Sequence, residues 1–342
     1  MRLKKQRRSL PCRNLLLSVN QTPANLLLLL VFGVLIKLPM FLSPHVVVKG
    51  EQDSVLFRAL LDFIEPTGRS TPLIYPVLVF GLLFIQAVWL TRFMNVQRMM
   101  SRPGYLAGMA YLLITSLFPE WNYFSASLMV NTILIFVLSS LFKVYSQQDA
   151  RGAIFNIGLA MGFASFLFFP ALTFIFWILY ALAVMRPFRL NEWLLCLLGA
   201  STPFYFYAIY LFINDQWSWQ TIWPHFSVSM PAVQQSVWLA GSAFLLIVPF
   251  LAGGYFVQDS LRRMLIQVRK GWSLLLIYLL GAIFIPFVNS SDTFENWVMA
   301  AIPFAAFHAC TYLYSSFRIF PVLLFWLSVV FVLAYQYYGP GW

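Results

Sequence analysis

Long apolar runs alternate along this chain with short polar segments that carry most of its charge, and that alternation sets the architecture. The runs extend over about 17–22 residues, the length a helix needs to cross a hydrocarbon core. They are continuously apolar and lack the period-two alternation of a barrel strand. They are therefore predicted as helices, whose backbones satisfy their own hydrogen bonds without water. About eleven spans follow: Asn25–Ser43, Leu73–Phe93, Pro103–Phe118, Phe124–Tyr145, Ile154–Phe169, Ala171–Met185, Trp193–Ile213, Val237–Val257, Trp272–Val288, Trp297–Leu313 and Ile319–Tyr337. The fifth and sixth are short and meet at Pro170, which admits either a tight helical hairpin below the outer surface or one broken helix.

Charge selects the hairpin, because Lys and Arg are retained on the cytoplasmic side. With it, the basic residues of the N-terminal tail, of the segments around Arg92–Arg102, Lys143–Arg151 and Arg186–Arg189, of Arg262–Lys270 and at Arg318 all fall inside. Lys49, Arg58 and Arg69 fall outside, with most of the acids. The expectation is a single all-α transmembrane domain over residues 1–342, a polytopic helix bundle with a basic cytoplasmic tail, N-terminus in and C-terminus out. The basic start followed by an apolar run resembles a signal peptide, but the run is long and has no small-residue cleavage site before Lys37, so it is read as a retained first span.

Composition agrees with this class. The 342 residues are 61% hydrophobic and only 10% charged, outside the range of ordinary soluble domains. A net charge of +11 is accounted for by orientation and by affinity for anionic membrane lipids, so no nucleic-acid partner is implied. The cysteines, Cys12, Cys196 and Cys310, are too scattered for a metal site or a disulfide framework and are read as packing residues. Neither a Gly-rich phosphate loop nor a nucleotide motif is present, which excludes a primary pump on this chain alone.

Chemistry is sought in the two long outward loops, Pro44–Pro72 and Asn214–Ser236. In the first, Val55, Leu56, Ala59, Leu60 and Phe63 recur at helical spacing, predicting an interfacial helix over Gln52–Ile64 that lies on the outer leaflet with these residues down. Glu51 and Asp53 precede it. The plain structural account makes Asp53 a helix cap and Glu51 an exposed acid. Lys37, in the first span two residues before Pro39, is either a snorkelling lysine or a functional cation whose partners would be Glu51, Asp53 or a lipid phosphate. Glu120 stands in the short turn between the third and fourth spans beside Trp121 and Tyr123, as a solvated turn residue or as a second acid facing a cavity. Trp217, Trp219 and Trp223, with His225 among them, are interfacial anchors or stacking surfaces for a sugar ring. His308, inside a span, is read as a hydrogen-bonded packing residue.

The first-span ending LIKLPMFLSP, the outward loop with Glu51 and Asp53 before an amphipathic helix, and the stretch FPEWNYFSASLMVNTILIFVLSSLFKVYSQQDARGAIFNIGLAMGFASFLFF together resemble the GT-C glycosyltransferases, over roughly the first half of the chain. The resemblance implies a bacterial inner-membrane enzyme that moves a sugar from a polyprenyl-phosphate carrier to an acceptor on the outer face. It implies Asp53, with Glu51 as alternative, as the base for the acceptor hydroxyl. Lys37 or Arg58 would be the phosphate partner, with Glu120 orienting the acceptor or a divalent metal. The chain departs from the family's adjacent acidic pair, with Gln52 between its two acids, and lacks the soluble outer domain of the larger members. The segment GLAMGFASFLFFPALTFIFWILYALAVMRPFRLNEWLLCLLGASTPFYFY also resembles a family of bacterial multi-pass inner-membrane proteins, some labelled carotene monooxygenases, although the sequence has no histidine cluster for an oxygenase iron. Two other classes stay open. One is a non-enzymatic membrane subunit assembled with envelope proteins of an assembly or secretion machine. The other is a transporter, for which internal repeats or several buried ionisable groups would be expected.

Overall fold

A computed structural model describes residues 23–47, 54–145, 147–217, 236–287, 294–314 and 319–339. The described residues are helical with short connections and contain no strand. In chain order the helices are α1 (Pro23–Leu42), α2 (Val55–Ser70), α3 (Ile74–Val96), α4 (Leu106–Ile114), α5 (Ala126–Val144), α6 (Arg151–Leu167), α7 (Phe174–Met185), α8 (Leu190–Ile213), α9 (Val237–Ser260), α10 (Ile266–Phe284), α11 (Ala301–Tyr314) and α12 (Ile319–Tyr338). Short 3₁₀ segments, Pro119–Asn122 and Phe294–Ala300 among them, lead into or between these helices.

Each predicted span contains a helix, but by length and composition eight helices of the described residues can cross a membrane. The third predicted span shrinks to α4, a nine-residue helix. At 1.5 Å per residue it covers about 14 Å, half of a hydrocarbon core. Its surroundings explain how so short a segment persists: Ala107, Gly108 and Ala110 through Ile114 are all buried in protein. The fifth and sixth predicted spans are the shorter helices α6 and α7, joined through a 3₁₀ turn, Phe169–Thr173, with Pro170 at its start.

Burial divides the bundle into an inner and an outer layer. From Ala301 to Thr311 every residue of α11 is buried, so α11 and α4, which pack on each other, form the centre. Around them, α1, α8, α9 and α12 carry rows of uncovered apolar side chains, such as Leu27, Val31 and Leu35 on α1 and Phe206, Tyr210 and Ile213 on α8. A helix apolar on all sides yet packed on only one presents the other to lipid.

The closest helix approach joins α6 to α8. A Cβ added to Gly158 would lie 2.0 Å from the carbonyl oxygen of Cys196, and one added to Gly199 would lie 2.3 Å from that of Phe155. These backbones touch because both faces are small, as Gly158, Gly162, Gly199 and Ala200 allow. Cys196 is thus a packing residue, and Cys310 is likewise buried and free; Cys12 lies outside the described residues.

His308 has the packing role expected of it, with a specific cause. Pro249 in α9 has no N–H for the carbonyl of Leu245, and His308 Nε2 lies 3.3 Å from that oxygen while Nδ1 lies 2.7 Å from the carbonyl of Phe304. At the chain end of α5 the guanidinium of Arg186 donates to the carbonyls of Val144 and Gln147 and pairs with the buried carboxylate of Glu192 at 3.1 Å, tying together α5, α7 and α8.

Helix α2 is amphipathic as predicted, with one correction to its bounds. It runs Val55–Ser70, further along the chain than the expected Gln52–Ile64, and the face it packs on protein is Phe57, Leu61, Ile64 and Gly68. Val55, Leu56 and Phe63, three of the residues expected to lie on the leaflet, belong to a different face that protein leaves uncovered, Phe63 at 82%.

Candidate functional site

A cavity of about 380 Å³ opens at one end of the bundle, between the end of α1, the start of α3 and the turn after Pro119. Its polar wall is Ser43, His45, Asn122 and Tyr123, and Met40, Tyr75 and Phe124 supply apolar surface. The Pro119–Asn122 turn is fixed from both sides. Asn122 Nδ2 donates to the carbonyl of Phe118 at 3.1 Å, and the indole N–H of Trp121 donates to the carbonyl of Phe294 at 2.9 Å. The first contact orients the Asn122 amide, turning its oxygen towards α1.

That oxygen accepts a hydrogen bond from Lys37. The Lys37 side chain is wholly buried, and its Nζ donates to Asn122 Oδ1 at 2.5 Å and to Thr115 Oγ1 at 2.9 Å. Thr115 passes its own proton to the carbonyls of Tyr111 and Leu112, leaving its oxygen able to accept. Lys37 therefore does not snorkel. It also lacks a carboxylate partner among the described residues: its acceptors are two neutral oxygens, where an ammonium has three N–H donors and a full charge to compensate. It lies one helical turn below Met40, which lines the cavity, and is joined to the cavity wall through Asn122.

Glu120 belongs to the same Pro119–Asn122 turn, two residues before Asn122, but does not itself line the cavity. Partial burial raises its carboxyl pKa, against a smaller opposing effect of its backbone hydrogen bond. The Tyr123 hydroxyl is raised by burial first and then by the charges of Glu120 and Glu295, so two acids lie within electrostatic reach of this ring. The ring of His45 stacks on Tyr123 at 4.0 Å, and burial lowers its pKa, favouring the neutral imidazole. Neither His45 nor Glu295 is singled out by sequence reasoning. A lone histidine after Pro44 and an acid far along the chain carry no local signal, and only the fold brings them to this turn.

Of the other sequence candidates, Arg58 is on the exposed face of α2 and lines no cavity among those described. Glu51 and Asp53 lie outside the described residues, as do Trp219, Trp223 and His225; Trp217 is partly exposed just beyond α8. Glu120 is the one acid expected to orient the acceptor or a divalent metal, and the two acids expected to act as base, Asp53 and Glu51, lie outside the described residues. Among the described residues no group of three or more His, Cys, Asp or Glu is placed to hold one.

A second, apolar slot of about 520 Å³ runs between α2, α6 and α8, lined by Val55, Leu56, Ala59, Phe163, Pro203 and Phe206 among others. Helix α2 links the two spaces: Phe57 stacks on Phe124, a cavity residue, at 5.9 Å, while Val55 and Leu56 face the slot. Comparison with protein-family models, with curated proteins and with solved structures found no match to this chain.

Proposed function

We propose that this chain is a GT-C-like membrane glycosyltransferase of the bacterial inner membrane, which moves a sugar from a polyprenyl-phosphate carrier to an acceptor hydroxyl at the outer face. The observation that carries the reading is Lys37, a buried amine held by neutral oxygens one turn beneath a partly polar cavity. A phosphate in the cavity would supply the missing counter-charge. The apolar slot beside α2 suits the isoprenoid tail of the same carrier.

The proposed topology has about eleven crossing segments, some of them short, with the N-terminus inside, the C-terminus outside and α2 along the outer interface. Cation placement supports this orientation. Arg92, Lys143, Arg186 and Lys270 gather at the end of the bundle opposite the cavity, where Lys270 Nζ donates to the carbonyl of Val184 and lies over the ring of Tyr145.

In the proposed reaction the acceptor oxygen attacks the anomeric carbon, the carbon–oxygen bond to phosphate breaks, and the acceptor proton passes to a carboxylate. Asp53 is the proposed base, with Glu51 the alternative. Lys37 compensates the charge left on the departing polyprenyl phosphate, and Glu120 orients the acceptor. The test is transfer from polyprenyl-phosphate-linked sugars in vesicles holding the purified chain, beside Asp53→Asn, Glu51→Gln, Glu120→Gln and Lys37→Met at matched abundance. Turnover of Asp53→Asn should fall by about a hundredfold or more. If the parent transfers no sugar, the non-enzymatic membrane-subunit reading replaces this one; if all four variants keep full activity, the assignment of Asp53, Glu51, Glu120 and Lys37 to the reaction falls.

A further inference from the structure

The far end of the bundle carries a second concavity that the proposed reaction does not use. It measures about 320 Å³ and is built from one stripe of each of two helices: Trp89, Arg92, Phe93 and Val96 on α3, and Phe136, Ser139 and Lys143 on α5. The spacings are three, four and seven residues, which places each set on a single helix face. Both helices start beside the Lys37 cavity, at Tyr75 and just after Phe124, so they descend side by side. Arg92 then lies about 24 Å along α3 from Pro76, near the opposite membrane surface.

The order of side chains down this groove matches a phospholipid. Arg92 and Lys143, both exposed, bring two cations from different helices to one slot, with the hydroxyl of Ser139 between the α5 residues and the amide of Gln97 at the end. None of the lining residues is acidic. Nearer the membrane centre, Trp89 and Phe136 form uncovered apolar walls, 40% and 45% exposed. The floor is rigid: Phe93 is buried and meets Phe142 edge-on at 4.9 Å, and the Gln97 oxygen accepts from Gln267 of α10.

We propose that this groove is a binding site for one anionic glycerophospholipid, its phosphate between Arg92 and Lys143 and an acyl chain between Trp89 and Phe136. A soluble phosphate would use the cations and leave the apolar walls idle, and a zwitterionic lipid would bring its own cation towards Arg92 and Lys143. The site differs from a diffuse positive surface because two helices present both chemistries at fixed register. It does not depend on the sugar-transfer reading, and on the proposed topology the lipid belongs to the cytoplasmic leaflet.

The experiment compares full-length chains reconstituted with mixed phosphatidylcholine and phosphatidylglycerol, then extracted in neutral detergent, with retained lipid measured by mass spectrometry. The parent should retain phosphatidylglycerol preferentially. Arg92→Gln/Lys143→Gln should lose that retention by about tenfold or more, whereas Arg262→Gln/Arg263→Gln, which removes the same charge elsewhere, should keep it. Ser139→Asp, which preserves both cations and adds a carboxylate between them, provides a second variant and should also release the lipid. Each variant's thermal midpoint is recorded, so that loss of the fold is seen directly. The proposal is overturned if the parent retains no phosphatidylglycerol, or if both charge pairs lower retention equally. Displacement of the lipid by inorganic phosphate alone would also overturn it, since the site would then take a free anion.

Discussion

At Lys37 the sequence poses a question that its neighbours answer. A lysine near the end of an apolar run can extend to the interface, and the run itself contains nothing to prevent it. Thr115 and Asn122 prevent it, from 78 and 85 positions further along. Asn122→Leu would leave the buried amine with one acceptor and should destabilise the protein by about 1–3 kcal/mol. Lys37→Met fills similar space without a charge and should cost less, while abolishing transfer. Thermal midpoints in one detergent check the order, and it fails if Lys37→Met is the more destabilised. Glu120 gives a pH signature. Burial raises its folded pKa above the unfolded value, so between the two the folded state holds more proton than the unfolded state, and stability falls as pH rises through that window. Glu120→Gln removes the slope, so its midpoint should gain on the parent as pH rises from about 4 towards neutrality. Parallel pH profiles of parent and variant would contradict the buried-acid assignment.

Among the helices, packing corrects what period alone can offer. The stretch Pro103–Phe118 has the composition of a span, but only Leu106–Ile114 is α-helical, because α4 is enclosed by other helices and has no lipid thickness to match. Helix α2 shows the complementary effect. Its period was legible, whereas the face chosen by the protein, Phe57, Leu61 and Ile64, depends on where Phe124 and α6 present a partner surface. The α6–α8 contact makes a sharp prediction. Gly158→Ala places a methyl group on the carbonyl of Cys196 and should cost about 3 kcal/mol through forced separation of the backbones. Gly81→Ala and Gly254→Ala meet open space within their helices and should be neutral or stabilising by about 0.5–1 kcal/mol. Size-exclusion profiles after heating would separate these outcomes, and equal survival of all three variants would contradict the close approach.

For the whole molecule, orientation is the property to test first. In intact cells, with Cys12 replaced by Ser, a probe confined to the outside should label Ser70→Cys and leave Leu265→Cys unlabelled; the reverse pattern would invert the topology. Ser70 is exposed, whereas Gly68 is enclosed by the ring of Tyr75 and would make a poor reporter. The sequence by itself determined the class, because apolar runs of bilayer length admit few structures other than helices in lipid. It also marked Lys37 and Glu120, since a charge beside so much apolar surface stands out locally. Only the tertiary structure decided that Lys37 turns inward to Thr115 and Asn122, that His45 and Tyr123 stack over the same cavity, and that Arg92 and Lys143 share a groove. Those relations join residues far apart in the chain, and they arise from which faces of chemically similar helices meet. Hydrophobic period gives a helix its apolar surface but leaves its partner unspecified; small residues such as Gly158 and Gly199, and hydrogen bonds to buried carbonyls, make that choice.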